Sequence, residues 1–293
     1  MPLFCRHNRF EQNCPVCMKE KAAARSASRP ARASAPRRAG AATPAARPKR
    51  LVTRKLARAA DDGYRHDLVP GIKATEDADR LATCLAVATQ RLEFPGPFPE
   101  VAEAGDVEEA TFLAFLLALA GPENPERQAA LRAARPAWEH EGETGLGADA
   151  DRTIAAYRAW AGRAGSQRAA LAGEAGWMPQ RRFARAFERL SLPGFGRSQR
   201  FEFLVVLGAA AVFELEADAL KVGGTDPTTV AAKRALVTGE TMFLERRAKA
   251  LAETAGVPIA ALDHGLALWD STAAVEAPEG PVLHSARRAL GLS

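Results

Sequence analysis

The sequence predicts an all-α body, and three observations lead to this fold class. Apolar residues recur every three to four positions along most of residues 61–293, which is the spacing of a helix that buries one face. Proline and glycine clusters fall between these stretches, where helices are expected to stop. Strand-like alternation does not persist beyond a few positions. With 47% hydrophobic residues in 293, the chain has enough apolar surface for a substantial core.

Ten helices are predicted one after another in this body. Clusters at 95–97, 121–125 and 223–224 separate several of them, and Gly162 and Gly165 offer a place where one long pattern divides. The periodicity predicts helices at 77–92, 107–120, 126–135, 151–172, 179–190, 197–212, 227–237, 241–255, 259–269 and 282–290.

Charge divides the chain into unequal parts. Residues 1–60 hold 15 of the 40 Lys and Arg but only 2 of the 35 Asp and Glu, so they carry +13 and residues 61–293 carry −8. Residues 19–60 form an arm rich in Ala, Arg, Pro and Ser, which we predict to be disordered because it has little apolar surface to bury. The arm is expected to attract nucleic-acid phosphates, with a solubilising linker as the alternative. An acidic body then needs a local contact for nucleic acid.

The remaining N-terminal residues, 1–18, predict a structural zinc module. Cys5 and His7 are followed after six residues by Cys14 and Cys17, a ligand set of three thiolates and one imidazole. Four protein ligands fill a tetrahedral Zn²⁺ and leave no open position for catalysis. The metal would supply the folding energy of so short a segment. Chance clustering of cysteines is the alternative. Cys84, in a helical pattern, is expected to be buried packing.

The composition argues against membrane insertion and export. The longest apolar run, residues 112–120, is about half the length of a membrane span. The N-terminus has no apolar segment of the kind found in secretory signals. We therefore expect a soluble, cytoplasmic protein, and we expect a monomer.

A tight turn between two predicted helices is the clearest candidate site. Residues 192–196 join the helix at 179–190 to the helix that starts at Arg197. The glycines on either side of Phe195 let backbone N–H groups approach a phosphate, and the helix N-terminus adds positive charge. A helix-helix turn without a ligand is the alternative. The predicted DNA contacts are Leu192, Gly194, Phe195, Gly196, Arg197, Ser198 and Arg200.

These residues also carry a resemblance. The run Leu-Pro-Gly-Phe-Gly-Arg at 192–197, with Asp218 placed 22 residues after Gly196 and Asp226 opening a later helix, resembles the helix-hairpin-helix DNA glycosylase superfamily. In that superfamily a base is flipped from the stack, and a carboxylate after the hairpin stabilises the positively charged sugar of the transition state. The resemblance therefore implies Asp218 or Asp226 as the catalytic acid.

Each of these acids has a plainer interpretation. Asp218 is also typical of a solvated acid at a helix end, although its spacing from the hairpin is nearly that of the superfamily. Asp226 is also expected to cap the helix at 227–237, because Pro227 suits the first helical position. The choice between the two acids stays open.

Within the superfamily, residues 177–183, 192–203 and 226–234 look like the clade named for alpha-glutamyl/putrescinyl thymine pyrophosphorylase. The similarity spans roughly residues 66–270, so the zinc module and the arm lie outside it. That clade is associated with hypermodified bases in phage DNA.

The implied function is hydrolysis of the N-glycosidic bond of a modified base in DNA, with phage DNA as the expected substrate and antiviral defence as the expected role. Bifunctional members carry a Lys just after the hairpin, where this chain has Ser198, so the implied product is an abasic site in an uncut strand. The cysteines of an iron–sulfur cluster are missing, which implies that none is bound. One alternative is a transferase that joins an amine or amino acid to an activated pyrimidine in DNA. The other is a DNA-binding adaptor without catalysis.

A few further residues are candidates of lower weight. Tyr157, Trp160 and Trp177 are predicted to stack on a flipped base, with packing in the core as the alternative. The neighbours Asp263 and His264 suggest acid–base chemistry, but a surface hydrogen bond is the simpler interpretation.

Overall fold

A computed structural model describes residues 59–122, 124–134, 137–139 and 146–292. The predicted zinc ligands Cys5, His7, Cys14 and Cys17 and nearly all of the basic arm lie outside these residues, so the zinc module stays a prediction. Within the described residues, no three His, Cys, Asp or Glu side chains are arranged to hold a metal ion.

The all-α prediction is confirmed, since the described residues contain helices and no strand. None of these helices is long and apolar enough to cross a membrane. In chain order the helices are α1 (Thr75–Gln90), α2 (Pro99–Ala102), α3 (Val107–Ala120), α4 (Pro125–Ala134), α5 (Ala148–Arg163), α6 (Gln167–Ala172), α7 (Pro179–Arg189), α8 (Arg197–Ala209), α9 (Pro227–Leu236), α10 (Thr241–Ala255), α11 (Ile259–Trp269) and α12 (Pro281–Ala289).

Local signals explain where several helices begin and end. The carboxylate of Asp106 caps α3 by accepting hydrogen bonds from the N–H groups of Glu108 and Glu109, at 2.9 and 3.1 Å. The long pattern at 151–172 divides into α5 and α6 because Gly165 adopts a φ of +91° and Ser166 caps the next helix. Polar caps and glycines thus set the bounds that periodicity alone leaves loose.

Two groups of packed helices position the site. The first holds α3 against α8, with α5 joined to them through an aromatic cluster of Phe115, Tyr157 and Phe203. The second holds α11 against α1 and α9, and α12 against α1 and α10. Helix α8 carries charged side chains toward α9 and α11, and the candidate site lies where these helices approach one another.

Candidate active site

The tight turn at residues 192–196 joins α7 to α8 as predicted. Gly194 adopts a φ of +74°, and a Cβ there would lie 2.4 Å from Oγ1 of Thr153 on α5. Only glycine fits this conformation and this close approach. The Thr153 hydroxyl also donates a hydrogen bond of 2.9 Å to the carbonyl of Pro193. The turn is therefore fixed against α5, and its position determines where α8 begins.

The turn at residues 192–196, which is predicted to contact DNA, is only partly exposed, and one of its N–H groups already has a hydrogen-bond partner. Gly194 and Gly196 are exposed, whereas Leu192 is half-buried and Phe195 is buried in the aromatic cluster. The N–H of Gly196 donates a 2.6 Å hydrogen bond to Oε1 of Gln199. A phosphate that binds this N–H must displace the Gln199 amide, so DNA binding by the turn stays a prediction.

Two arginines predicted to contact phosphates direct their guanidinium groups inward. Arg200 lies over the ring of Phe187 at 4.4 Å and donates to the Phe187 carbonyl at 3.2 Å, and burial lowers the pKa of its guanidinium. The side chain of Arg197 is 6% exposed and lies over the ring of Phe201 at 4.5 Å. Both side chains fasten α8 to its neighbours, and their contact with DNA phosphates remains a prediction.

Arg197 stands between two carboxylates. Its Nη1 lies 3.5 Å from Oδ1 of Asp226, and its Nη2 forms an ion pair with Oδ1 of Asp263. Nη2 also donates to the carbonyl of Leu220, and Nε donates to that of Lys221 at 3.4 Å. Together Arg197, Asp226 and Asp263 form what we call the Arg197 cluster. Three separate parts of the chain meet here, at the first turn of α8.

Asp226 caps α9, as the sequence predicts, and also faces α8. Its carboxylate accepts hydrogen bonds from the N–H and the hydroxyl of Thr229, at 3.3 and 2.5 Å. The hydroxyl of Ser198 lies 3.3 Å from Oδ1 of the same carboxylate. Two helix N-termini, those of α8 and α9, therefore converge on one acid. The positive ends of both helices and the Arg197 guanidinium therefore face the carboxylate of Asp226.

Asp218, the other candidate acid, has different surroundings. Its side chain is 46% exposed, and its carboxylate lies 3.4 Å from Nζ of Lys221. An exposed pair of this kind is typical of a solvated surface. The structure thus places Asp226 beside the first turn of α8 and gives Asp218 a surface partner, while the catalytic assignment of either acid remains a prediction.

The loop next to the cluster is fixed from two sides. Glu245 on α10 accepts hydrogen bonds of 2.8 Å from the N–H groups of both Leu220 and Val222. Between them, Lys221 adopts a φ of +55°, which is uncommon for a residue with a side chain. Arg197 binds the carbonyls of this loop from the opposite side. The sequence gives no sign of this role of Glu245, because Glu245 and the loop it binds are more than 20 residues apart in the chain and meet only through the packing of α10.

Asp263 and His264 also depart from the sequence-based interpretation of a surface hydrogen bond. Asp263 is only 13% exposed, and burial raises the pKa of its carboxyl to about 6, although Arg197 opposes this shift. His264 lies close to the ion pair between Arg91 and Glu202. Burial lowers the pKa of the His264 imidazole to about 4, and the positive charge of Arg91 adds to this effect. Each side chain faces a different charged group.

These two shifts act on stability in opposite directions. From pH 4 to 6 the folded state holds a proton on Asp263 that the unfolded state releases, so the Asp263 contribution falls as pH rises. In the same window the unfolded state holds a proton on His264 that the folded state lacks, so the His264 contribution rises. Each shift is worth about 3 kcal/mol. The two contributions nearly cancel in the wild type.

We therefore predict opposite pH profiles for two variants. Relative to wild type, the unfolding free energy of His264→Gln should fall by about 3 kcal/mol between pH 4 and 6, and that of Asp263→Asn should rise by a similar amount. Urea denaturation at half-unit pH steps measures both. Parallel profiles for the three proteins would show that neither group titrates as described.

The three aromatic candidates differ in their access to a base. Tyr157 is fully buried and stacks on Phe115 with ring centroids 3.8 Å apart, and Trp160 is buried next to it at 5.6 Å. Trp177 is half-buried, with the guanidinium of Arg181 over its ring at 4.6 Å. The packing alternative fits the surroundings of Tyr157 and Trp160. Base stacking remains a prediction, and Trp177 has the most accessible ring of the three.

Comparison with known proteins gives one finding. No curated protein and no solved structure matched the chain, but a family model did so over just under half of its length. The matched segment begins at residue 139 and includes the turn at 192–196 and the whole Arg197 cluster. It agrees with the clade that the sequence resembles. Residues 139–271 are thus similar to the family described as alpha-glutamyl/putrescinyl thymine pyrophosphorylase clade 3.

Proposed function

We propose that this protein is an enzyme that acts on a modified thymine in DNA and joins an amine or amino acid to an activated form of that base. The observation that carries the proposal is the position of the Arg197 cluster within the segment that matches the thymine pyrophosphorylase family. A charged cluster at two helix N-termini suits a reaction in which an anionic group leaves and a proton must be taken up.

In this reaction the amine nitrogen forms a bond to the activated carbon attached to the base. The bond from that carbon to the pyrophosphate oxygen breaks, and the electron pair leaves with pyrophosphate. The N-terminal turns of α8 and α9 would stabilise the negative charge of the leaving group, while Arg197 holds the two carboxylates in place. Asp226, which accepts hydrogen bonds from Ser198 and Thr229, would orient the reacting groups. The tight turn and the basic arm would hold the DNA backbone.

A second candidate is hydrolytic release of the modified base, which leaves an abasic site. It is favoured by Asp226, a carboxylate beside the first turn of the helix that follows the hairpin, since such an acid stabilises positive charge on the sugar. Ser198 follows the turn in place of a lysine, so no Schiff base and no strand cleavage would accompany this reaction. Either activity on phage DNA would fit a role in modification or in defence.

The two reactions are distinguished by the mass of the base. The protein is incubated with DNA that contains 5-(pyrophosphoryloxymethyl)uracil and with an alkyl diamine or an amino acid, and the nucleosides are analysed by mass spectrometry. Transfer gives a nucleoside that carries the amine, whereas hydrolysis gives free base and abasic sites. Unchanged DNA that is nevertheless bound would support a non-catalytic adaptor, and it would contradict our proposal.

We predict that Asp226→Asn abolishes the product. Asparagine caps helices about as well as aspartate, so this variant keeps the cap of α9 and removes the charge. Asp106→Asn is the matched control, because Asp106 caps α3 in the same way far along the chain. Asp218→Asn tests the other acid and should retain activity. Equal product from wild type and Asp226→Asn would remove Asp226 from the mechanism.

A further inference from the structure

Asp226 shares its arginine with a second carboxylate, that of Asp263 on α11. The two acids contact different terminal nitrogens of the Arg197 guanidinium, and each side chain is 13% exposed. The hydroxyl of Thr228, in the first turn of α9, donates to the carbonyl of Asp263 at 3.2 Å. This hydrogen bond holds α11 beside the start of α9. The two acids therefore form a fixed, largely buried pair, in which each side chain keeps a small exposed fraction.

The charges around this pair do not balance. Arg197 supplies one positive charge for two carboxylates, and the nearby Glu202 is already paired with Arg91. His264, which follows Asp263 on α11, stays neutral near pH 7 because its pKa is lowered. When both acids are ionised, one negative charge is left in a largely buried place. A proton or a cationic ligand at the pair relieves this excess.

The two acids differ in the hydrogen bonds that their carboxylate oxygens accept. Asp226 accepts hydrogen bonds from Thr229 and, at longer distance, from Ser198. Oδ1 of Asp263 touches the Arg197 guanidinium but makes no well-directed hydrogen bond with a described residue. Burial and the neighbouring acids Asp226 and Glu202 raise the pKa of Asp263, against the effect of Arg197. Asp263 thus takes up a proton more readily than an ordinary aspartate does.

We propose that Asp263 is a second catalytic residue, the group that accepts the proton of the attacking amine. This inference rests on the proposed transfer reaction. The ammonium group of the donor binds at the acid pair and gives one proton to Asp263, which exposes the lone pair of the nitrogen. The nitrogen then forms its bond to the carbon attached to the base, and pyrophosphate leaves with the electron pair of the broken C–O bond. The proton that Asp263 has accepted then passes to solvent, which restores the carboxylate for the next turnover. A base whose pKa lies near the working pH is suited to this role.

The test is a pH–rate profile of amine transfer by the full-length protein. The wild-type rate should rise with pH around a midpoint of about 6. Asp263→Asn should lose this rise and be roughly 100-fold slower at pH 7.5. Asp270→Asn is the matched control, because Asp270, the residue that follows the last residue of α11, is also paired with an arginine, Arg234. It should keep the wild-type profile.

Two further measurements separate a chemical role from a structural one. An alkoxyamine, which is largely deprotonated at pH 7.5, needs no base to attack, so Asp263→Asn should recover much of its rate with this nucleophile. Asp263→Glu keeps a carboxylate and should keep a pH-dependent rate. If Asp263→Asn retains the wild-type profile, or is equally slow with both nucleophiles, the inference is wrong. If the wild type transfers no amine at all, the proposed function fails instead.

Discussion

Replacing Arg197 with methionine should destabilise the protein by about 3 to 5 kcal/mol, as expected when one partner of a buried ion pair is removed. The variant leaves the carboxylates of Asp226 and Asp263 next to each other without a positive charge between them. It also leaves the carbonyl of Leu220 without the guanidinium donor that binds it. Methionine fills a similar volume and keeps contact with Phe201, so the loss reports on the missing charge and hydrogen bonds rather than on a cavity.

Arg200→Met is the matched control for this prediction. Arg200 lies on the same helix, stacks over a phenylalanine at nearly the same distance and donates to one carbonyl, but it has no carboxylate partner in the described part of the chain. Arg200→Met should lower the unfolding free energy by about 1 kcal/mol. Urea denaturation at pH 8 and pH 5 measures both variants. The loss of unfolding free energy in Arg197→Met should be smaller at pH 5, where Asp263 is protonated, than at pH 8. If the two variants lose the same free energy at both pH values, the electrostatic explanation is wrong.

A double variant provides an independent check on the same cluster. Adding Asp263→Asn to Arg197→Met removes one of the two carboxylates that the arginine neutralised. The double variant should therefore be more stable than Arg197→Met alone, since it has one unpaired carboxylate next to residue 197 instead of two. Additive losses would show that Arg197 stabilises the protein through its contacts with Leu220 and Phe201 and not through Asp263.

Much of the helical architecture follows from the sequence because its determinants are local. The predicted bounds of α3, α10 and α11 coincide with the observed ones, and most others differ by one to three residues. Asp106 and Ser166 cap the helices that follow them, and Gly165 interrupts a long periodic pattern. Such signals act within one or two turns of a helix. The short α2 was not predicted, because four residues are too few to show a helical period.

The site could be predicted only where its residues have local roles. The turn at 192–196 and the cap at Asp226 follow from residue types and spacing alone. The contacts of Arg197 with Asp263 and of Glu245 with Leu220 join residues from different helices, and periodicity says nothing about such pairs. The adjacent pair Asp263 and His264 illustrates the limit. Their closeness in sequence suggests a mutual hydrogen bond, whereas packing turns each toward a charged group on another element.

Tyr157 shows how packing decides between two interpretations of one residue. The side chain is fully buried, stacks on Phe115 at 3.8 Å and meets Phe203 edge-on at 6.0 Å. Its hydroxyl lies 2.7 Å from Oε1 of the buried Gln167, whose amide nitrogen donates to the carbonyl of Glu108 at 2.8 Å. An aromatic ring enclosed in this way contributes stability through burial and ring contacts.

Tyr157→Ala should therefore lower the unfolding free energy by about 3 to 5 kcal/mol, because it leaves a cavity in the aromatic cluster that holds α3, α5 and α8 together. Tyr157→Phe keeps the ring and leaves Oε1 of Gln167 without its hydroxyl donor, so it should cost about 1 to 3 kcal/mol.

Thermal unfolding of the two variants measures these losses, and binding to DNA is compared at a temperature where both are folded. Trp177→Ala, which removes a half-buried ring, is the comparison for base stacking. If Tyr157→Ala keeps wild-type stability and loses DNA binding, the ring must leave the core to stack on a base. If stability falls and the folded fraction binds DNA normally, Tyr157 serves α8 and the Arg197 cluster only by holding the aromatic core in place.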